Sequence, residues 1–177
     1  MGTKKTFALT AILGLVLLLF STVACKSDDF KGWTQGKFLY LYVPNNAQVV
    51  DQVAYLDQNG DHFVVKPAQP GNMLAVLNVT VVNPKSARVI LTMSDDSASI
   101  SDPRGNKYDM MDPFKNSTKM SAADPNEGKF SPFLWGSVEL VKDYQVQGWL
   151  VYEVPGNFKP AVLLWEESES IRAQLTP

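Results

Sequence analysis

The sequence predicts an all-β domain carried behind an export signal. Three observations support this: short apolar runs recur at close spacing, turn residues bound them, and no run beyond the N-terminal segment reads as a helix. At 177 residues with 11 Gly and 11 Pro, the chain fits one domain plus appendages, and it can bury about two thirds of its unfolded surface. The formal net charge is −2, and without Lys4 and Lys5 it becomes −4. That balance carries no nucleic-acid footprint and no basic membrane-surface patch. With Cys25 the single cysteine, no disulfide can form within the chain, so its core alone must hold the domain.

Lys4 and Lys5 precede an apolar run from Phe7 to Phe20, and Ser21-Thr22-Val23-Ala24-Cys25 follows. This is the order of an export signal: basic region, apolar region, small-residue cleavage site. Thr22-Val23-Ala24-Cys25 resembles a bacterial lipobox, in which cleavage precedes a cysteine that carries a diacylglyceryl thioether. Thr22 departs from that pattern, where Leu is commonest. Two other outcomes fit the same residues: ordinary cleavage after Ala24, giving a secreted protein with a free thiol, or an uncut anchor shorter than the roughly 20 residues of a spanning helix. Lipidation contributes about 0.8 kcal/mol per buried methylene, so two acyl chains hold a protein on a membrane. The expected organisation is a signal peptide over residues 1–24, a lipid-anchored tether over 25–36 and a β-domain over 37–177.

Taken in order, Lys37–Val43 alternates two apolar sets and reads as a strand between covering layers, stopped by Pro44-Asn45-Asn46. Val53–Leu56 and His62–Val65 flank Asn59-Gly60, which predicts a two-residue type I′ hairpin pairing Leu56 with Phe63. Asp57, Asn59 and Asp61 also match the start of a calcium loop, but His62 and Ala68 stand where such a loop needs Gly and Glu. Gly71–Asn83 holds the central strand, with Leu77, Val79 and Val81 on the core face and Asn78 and Thr80 on a wet one. After the turn at Pro84–Ala87, Arg88–Met93 is a strand. Ala98–Ser101 and Asn106–Met110 form a hairpin around Asp102-Pro103-Arg104-Gly105. Residues 109–132, rich in Pro, Asn, Asp and Ser, read as a long loop, the main candidate for a binding surface or a poorly ordered insertion. Phe133–Val141 and Tyr144–Pro155 follow, the latter placing Val146, Gly148, Leu150, Tyr152 and Val154 inward. Ala161–Trp165 and Ile171–Leu175 close the domain across a solvated acidic turn, Glu166–Ser170.

The ordered set of a long strand ending in Asn83, the Asp102, Gly105 and Tyr108 hairpin, and the Gly148, Leu150, Tyr152, Val154 and Pro155 strand resembles a family of exported bacterial domains of unknown function. That family has an immunoglobulin-like, telokin-like β-sandwich, is often attached to lipoproteins, and is related in fold to secreted immunoprotective antigens. The resemblance covers about Gly36 to Leu175. It implies an immunoglobulin-like antiparallel β-sandwich in the cell envelope and no reaction, and the lipobox-like Thr22–Cys25 adds the expectation of a lipid anchor on the cell or outer membrane. Lys142-Asp143 departs from the Pro-Gly turn common before the last long strand.

Candidate chemistry is sparse. His62 is the single histidine and reads as a solvated strand residue; Asp95-Asp96 and Glu166-Glu167 are sequence neighbours and make poor acid–base pairs. Met110, Met111 and Met120 offer soft thioethers for a copper(I) site, the alternative reading of the long loop. The sequons at Asn78 and Asn116 read as chance. Of the four tryptophans, Trp33, Trp135, Trp149 and Trp165, the third is informative. With Leu150, Tyr152 and Val154 inward, Trp149 and Val151 form an outward apolar patch, covered by the loop or the N-terminal segment, or else met by an envelope protein or a glycan. The expected function is non-catalytic binding or scaffolding, without cofactor and without nucleic acid.

Overall fold

The structure, a computed structural model, describes residues 32–175. The signal segment and Cys25 lie outside the described residues. The elements are β1 (Thr34–Gln35), β2 (Tyr40–Tyr42), β3 (Gln48–Val50), β4 (Val53–Leu56), β5 (His62–Val65), β6 (Asn72–Val82), β7 (Arg88–Met93), β8 (Ala98–Ser101), β9 (Lys107–Asp109), β10 (Ser117–Lys119), β11 (Gly136–Val141), β12 (Gln145–Pro155), β13 (Val162–Trp165) and β14 (Ile171–Gln174). The described residues contain no helix, and each pair of named strands is antiparallel. Thr34 and Gln35, the end of the expected tether, pair with β2.

β6 and β12 form the spine, paired from Asn72↔Pro155 to Val82↔Gln145. β2 and β3 both lie along the other edge of β6, separated by the turn at Pro44–Asn46, and β1 extends that sheet. A second sheet runs β14-β13-β8-β9. Between them lies the main core, with Leu41, Leu77, Leu150, Ile100, Leu163 and Trp165 all at most 1% exposed. The expectation that Leu77, Val79 and Val81 meet Leu150, Tyr152 and Val154 across this core needs correction. Both sets enter it, but they are lateral neighbours in one sheet, with Leu77 opposite Leu150. Strand period fixes which face a side chain takes and leaves the neighbouring strand open.

The opposite face of the spine is also covered. Leu74, Val76 and Val151 point away from the main core and pack with Val53, Tyr55, Val65 and Phe130 in a second cluster beneath the sheet β4-β5-β10. The wet side expected of the central strand therefore narrows to Asn78, which is half-buried, while Thr80 is only 6% exposed.

Beyond the spine, β7 pairs with β11 just as β6 pairs with β12, so two chain segments run side by side through a corner. Asn83, fully buried, pins that corner. Its Nδ2 donates to the carbonyls of Ser86 and Leu140, both at 2.9 Å, and its Oδ1 accepts from the Ser86 N–H. Across the ribbon the Asn83 N–H donates to Tyr144 O and the Asp143 N–H to Asn83 O. Asp143 takes φ 67°, the left-handed conformation that Asp tolerates and Gly prefers, which explains how Lys142-Asp143 replaces a Pro-Gly turn.

The hairpin at Asn59-Gly60 differs from its expected register. Tyr55 pairs with Phe63 and Leu56 with His62, which leaves Leu56 exposed. The cause is Asp57: its Oδ1 accepts from the N–H groups of Asn59 and Asp61, the Gly60 N–H donates to Asp57 O, and Gly60 alone takes positive φ. The outcome is a three-residue loop built on a type I turn with a left-handed glycine. Asp102, Gly105 and Asn106 repeat the same arrangement at the next hairpin.

Candidate functional site

Residues 109–132, expected to be an open loop, form a cover over the second cluster. The Met111 N–H donates to Val151 O, β10 pairs with β5, and the chain returns alongside β12, where Leu134 N–H donates to Trp149 O and Trp149 N–H to Pro132 O. Asp112 and Asp124 each start a turn by accepting backbone N–H groups with Oδ1, so this cover carries its own local order. Gly148 makes the last crossing possible. A Cβ there would stand 2.8 Å from Leu134 Cβ and 2.9 Å from its backbone nitrogen.

This cover changes the reading of the Trp149–Val151 patch. Val151 is 1% exposed, and the Phe130 and Trp149 rings meet in a T-shaped pair with centroids 5.0 Å apart. Val151 is thus filled over from within the chain and offers no partner surface. Trp149 is half-buried and keeps an open side.

The three methionines do not converge. Met110 bridges to Tyr152 and enters the main core, Met111 enters the second cluster on the other face, and Met120 donates its N–H to His62 O. Neighbours in an extended chain point to opposite faces, so Met110 and Met111 cannot share a metal, and the copper(I) reading loses its ligand set. The calcium alternative fares similarly: Asp57 is engaged in its own turn and Asp61 Oδ2 lies 2.6 Å from Lys119 Nζ. Among the described residues no group of three or more His, Cys, Asp or Glu side chains is arranged to hold a metal.

Three polar contacts escaped sequence reasoning. His62 Nδ1 lies 2.8 Å from Glu127 Oε1, tying β5 to the cover. Glu153 accepts from the N–H groups of Ala68 and Gln69 and from Asn72 Nδ2. The acidic turn is not simply solvated, since Glu169 accepts from the N–H groups of Lys37, Phe38 and Leu39, and Glu167 from that of Thr92. None has a sequence signal, because the partners, whether backbone groups, the Asn72 amide or the Glu127 carboxylate, all lie far along the chain. Tyr152, fully buried, has a hydroxyl without a partner among the described residues; burial, then the charge of Asp109, pushes its pKa well above the usual value.

What the cover leaves open is a groove on either side of Ser131 and Pro132. One half, a cleft of about 480 Å³, is walled by Tyr55, Leu56, Phe114 and Phe133 and by the turn at residues 57–59. Phe114 and Leu56 are each 51% exposed. The Tyr55, Phe114 and Phe133 rings meet edge to face at 5.2–5.7 Å, and Tyr55 Oη donates to Ser117 Oγ, so the wall is held from behind. The other half, about 450 Å³, is lined by Trp149, Gly148, Gln147, Asn78, Asn45 and Pro44. Gln147 Nε2 donates to Asn78 Oδ1 at 2.7 Å. The groove holds one charged side chain, Asp57, whose carboxyl sits below its usual range foremost because the Asp61 N–H stabilises the ionised form. Such a surface can stack on flat apolar groups and hydrogen-bond neutral polar ones.

No protein-family model matches the chain, and no curated protein matches it significantly. Among solved structures it is similar to a Bacillus subtilis protein described as a lipoprotein, at 12% identity over 81% of this chain and a TM-score of 0.42. It is also similar to MPT63, a secreted protein of Mycobacterium tuberculosis, at 14% identity, 71% of this chain, 92% of that one and a TM-score of 0.38. The chain spans 38% of the length of the Bacillus subtilis protein.

Proposed function

We propose that this protein is an exported, lipid-anchored domain of immunoglobulin-like type that acts in the cell envelope by binding rather than by catalysis, with the Phe114–Trp149 groove as its contact surface. The observation that carries the binding role is the groove itself: exposed aromatic and amide side chains on a support covered by packed strands on both faces. The location rests on Lys4, Lys5, the Phe7–Phe20 run and Thr22–Cys25. The tether of this reading is the segment 25–36, and Glu169 holds the backbone of residues 37–39 where the domain begins.

Two measurements test the reading. Labelled palmitate should enter the native chain and not Cys25→Ser, and only the native chain should partition into detergent; an unlabelled, water-soluble native protein would make it a secreted domain. Photo-crosslinkers at positions 114 and 147 should capture envelope material in intact cells, whereas one at Tyr144, which lines neither cleft, should not. Silence at 114 and 147 would remove the groove as the contact surface.

A further inference from the structure

The groove's chemistry points beyond binding in general to a class of ligand. In the Trp149 half, the lining consists of uncharged residues: two prolines, a serine, a glycine, a tryptophan and three amides. Among the described residues lining that half there is no cation to meet a phosphate, a uronate or an acidic peptide, and no anion to meet a basic one; Asp57 stands in the other half. A charged ligand would meet no opposite charge there.

The amides are also arranged in a particular way. Gln147 Nε2 donates to Asn78 Oδ1, which uses one donor and one acceptor of the pair and fixes their mutual orientation. Among the described residues, Asn78 Nδ2 and Gln147 Oε1 make no other hydrogen bond, so a free NH₂ and a free carbonyl oxygen stand on neighbouring strands, paired through Gln147↔Thr80 and Trp149↔Asn78. A hydroxyl both donates and accepts, so adjacent hydroxyls of a sugar ring satisfy this pair, while the apolar face of the same ring stacks on the open side of Trp149. Across Ser131 and Pro132 the exposed Phe114 ring supplies a second platform, backed by Tyr55 and Phe133. Two aromatic platforms in clefts that share Ser131 and Pro132 suit a chain of rings rather than a single one.

We infer that the groove binds a neutral oligosaccharide chain, with Trp149 and Phe114 as stacking platforms and Asn78 and Gln147 reading ring hydroxyls. This rests on the proposed function above and names the ligand of that same site.

The test uses the full chain purified in detergent, titrated with cellotetraose and chitotetraose as neutral probes and tetragalacturonate as a charged one, followed by tryptophan emission and calorimetry. At least one neutral probe should bind and shift the emission, and tetragalacturonate should not. Gln147→Ala and Phe114→Ser, both at exposed side chains, should each weaken that probe by about tenfold while the melting curve stays native. Binding of the charged probe alone, or neutral binding unaffected by both variants, would overturn the sugar assignment. If neither neutral probe binds and the position 114 and 147 crosslinkers capture only protein, the ligand is a polypeptide; the sugar inference fails while the binding reading survives. If they capture nothing, both fail.

Discussion

Asn83 Nδ2 donates to Leu140 O at 2.9 Å across 57 residues of sequence, inside the corner where the paired ribbon turns from one sheet to the other. The amide has 0% exposure and meets partners with both its nitrogen and its oxygen. Replacing it strips the buried Leu140 carbonyl and the part-buried Ser86 carbonyl and N–H of their partners. Asn83→Ala should therefore cost about 2–3 kcal/mol in urea unfolding. Asn83→Asp keeps the shape but turns an acceptor toward the Leu140 carbonyl, so it should be at least as damaging at neutral pH. A loss under about 0.5 kcal/mol for both would show that the corner is held by the backbone pairs alone.

Gly148 is where the cover touches the spine. Its neighbour at 2.9 Å is a backbone nitrogen, which cannot rotate away as a side chain end would. Gly148→Ala should push Leu134 off β12, break the Leu134 N–H to Trp149 O bond and cost about 1–3 kcal/mol. Trp149 emission should shift to the red in the folded protein as its environment opens. An unchanged spectrum and stability would mean that the 132–134 segment already stands clear of the strand in solution.

These two residues mark how far the sequence could be read. The apolar alternation of Leu77, Val79, Val81 and of Leu150, Tyr152, Val154 gave the correct interior, since burial imposes period two on a strand. It could not tell a lateral neighbour from one across the core, because both choices bury the same side chains. The Asn59-Gly60 register failed for a local reason: Asp57 captures two N–H groups and converts the turn, the same Asp-x-x-Gly pattern that made Asp102–Gly105 easy to read. Gly148 inside a strand was itself a signal of close backbone approach. Residues 109–132 read as a loop because their order comes from turns and from long-range contacts of Met111, Phe130 and Phe133, which no local pattern announces. The groove was legible only as the question of what covers Trp149.

Glu153 gives a pH dependence. Burial acts to raise its pKa, but hydrogen bonds from the Ala68 N–H, Asn72 Nδ2 and the Gln69 N–H outweigh it, and the net shift is downward. A folded-state pKa below the unfolded one means that the carboxylate's contribution is complete above the ordinary glutamate range. That contribution disappears as pH falls through the lower folded value. Glu153→Gln should thus lose stability at neutral pH and show a shallower decline on acidification than the native chain. Parallel pH–stability curves for the two proteins would show that the contribution is not linked to ionisation of Glu153.

Glu169 and Gly36 act as one device at the start of the domain. The carboxylate accepts N–H groups from three consecutive residues, Lys37, Phe38 and Leu39, and it reaches them because Gly36 has no Cβ; one placed there would lie 2.6 Å from Oε1. Leu39 is in the main core, so the clamp fixes an apolar anchor as well as the chain entry. Glu169→Ala should speed amide exchange at Phe38 and Leu39 by about tenfold or more while Leu77 on β6 stays protected, the signature of local opening rather than global unfolding. Gly36→Ala should produce the same local effect by expelling the carboxylate. Because both variants remove one interaction, the double variant should be little worse than either alone. Additive effects in that cycle would separate the two residues and show that the backbone of residues 37–39 is held by something other than the Glu169 carboxylate.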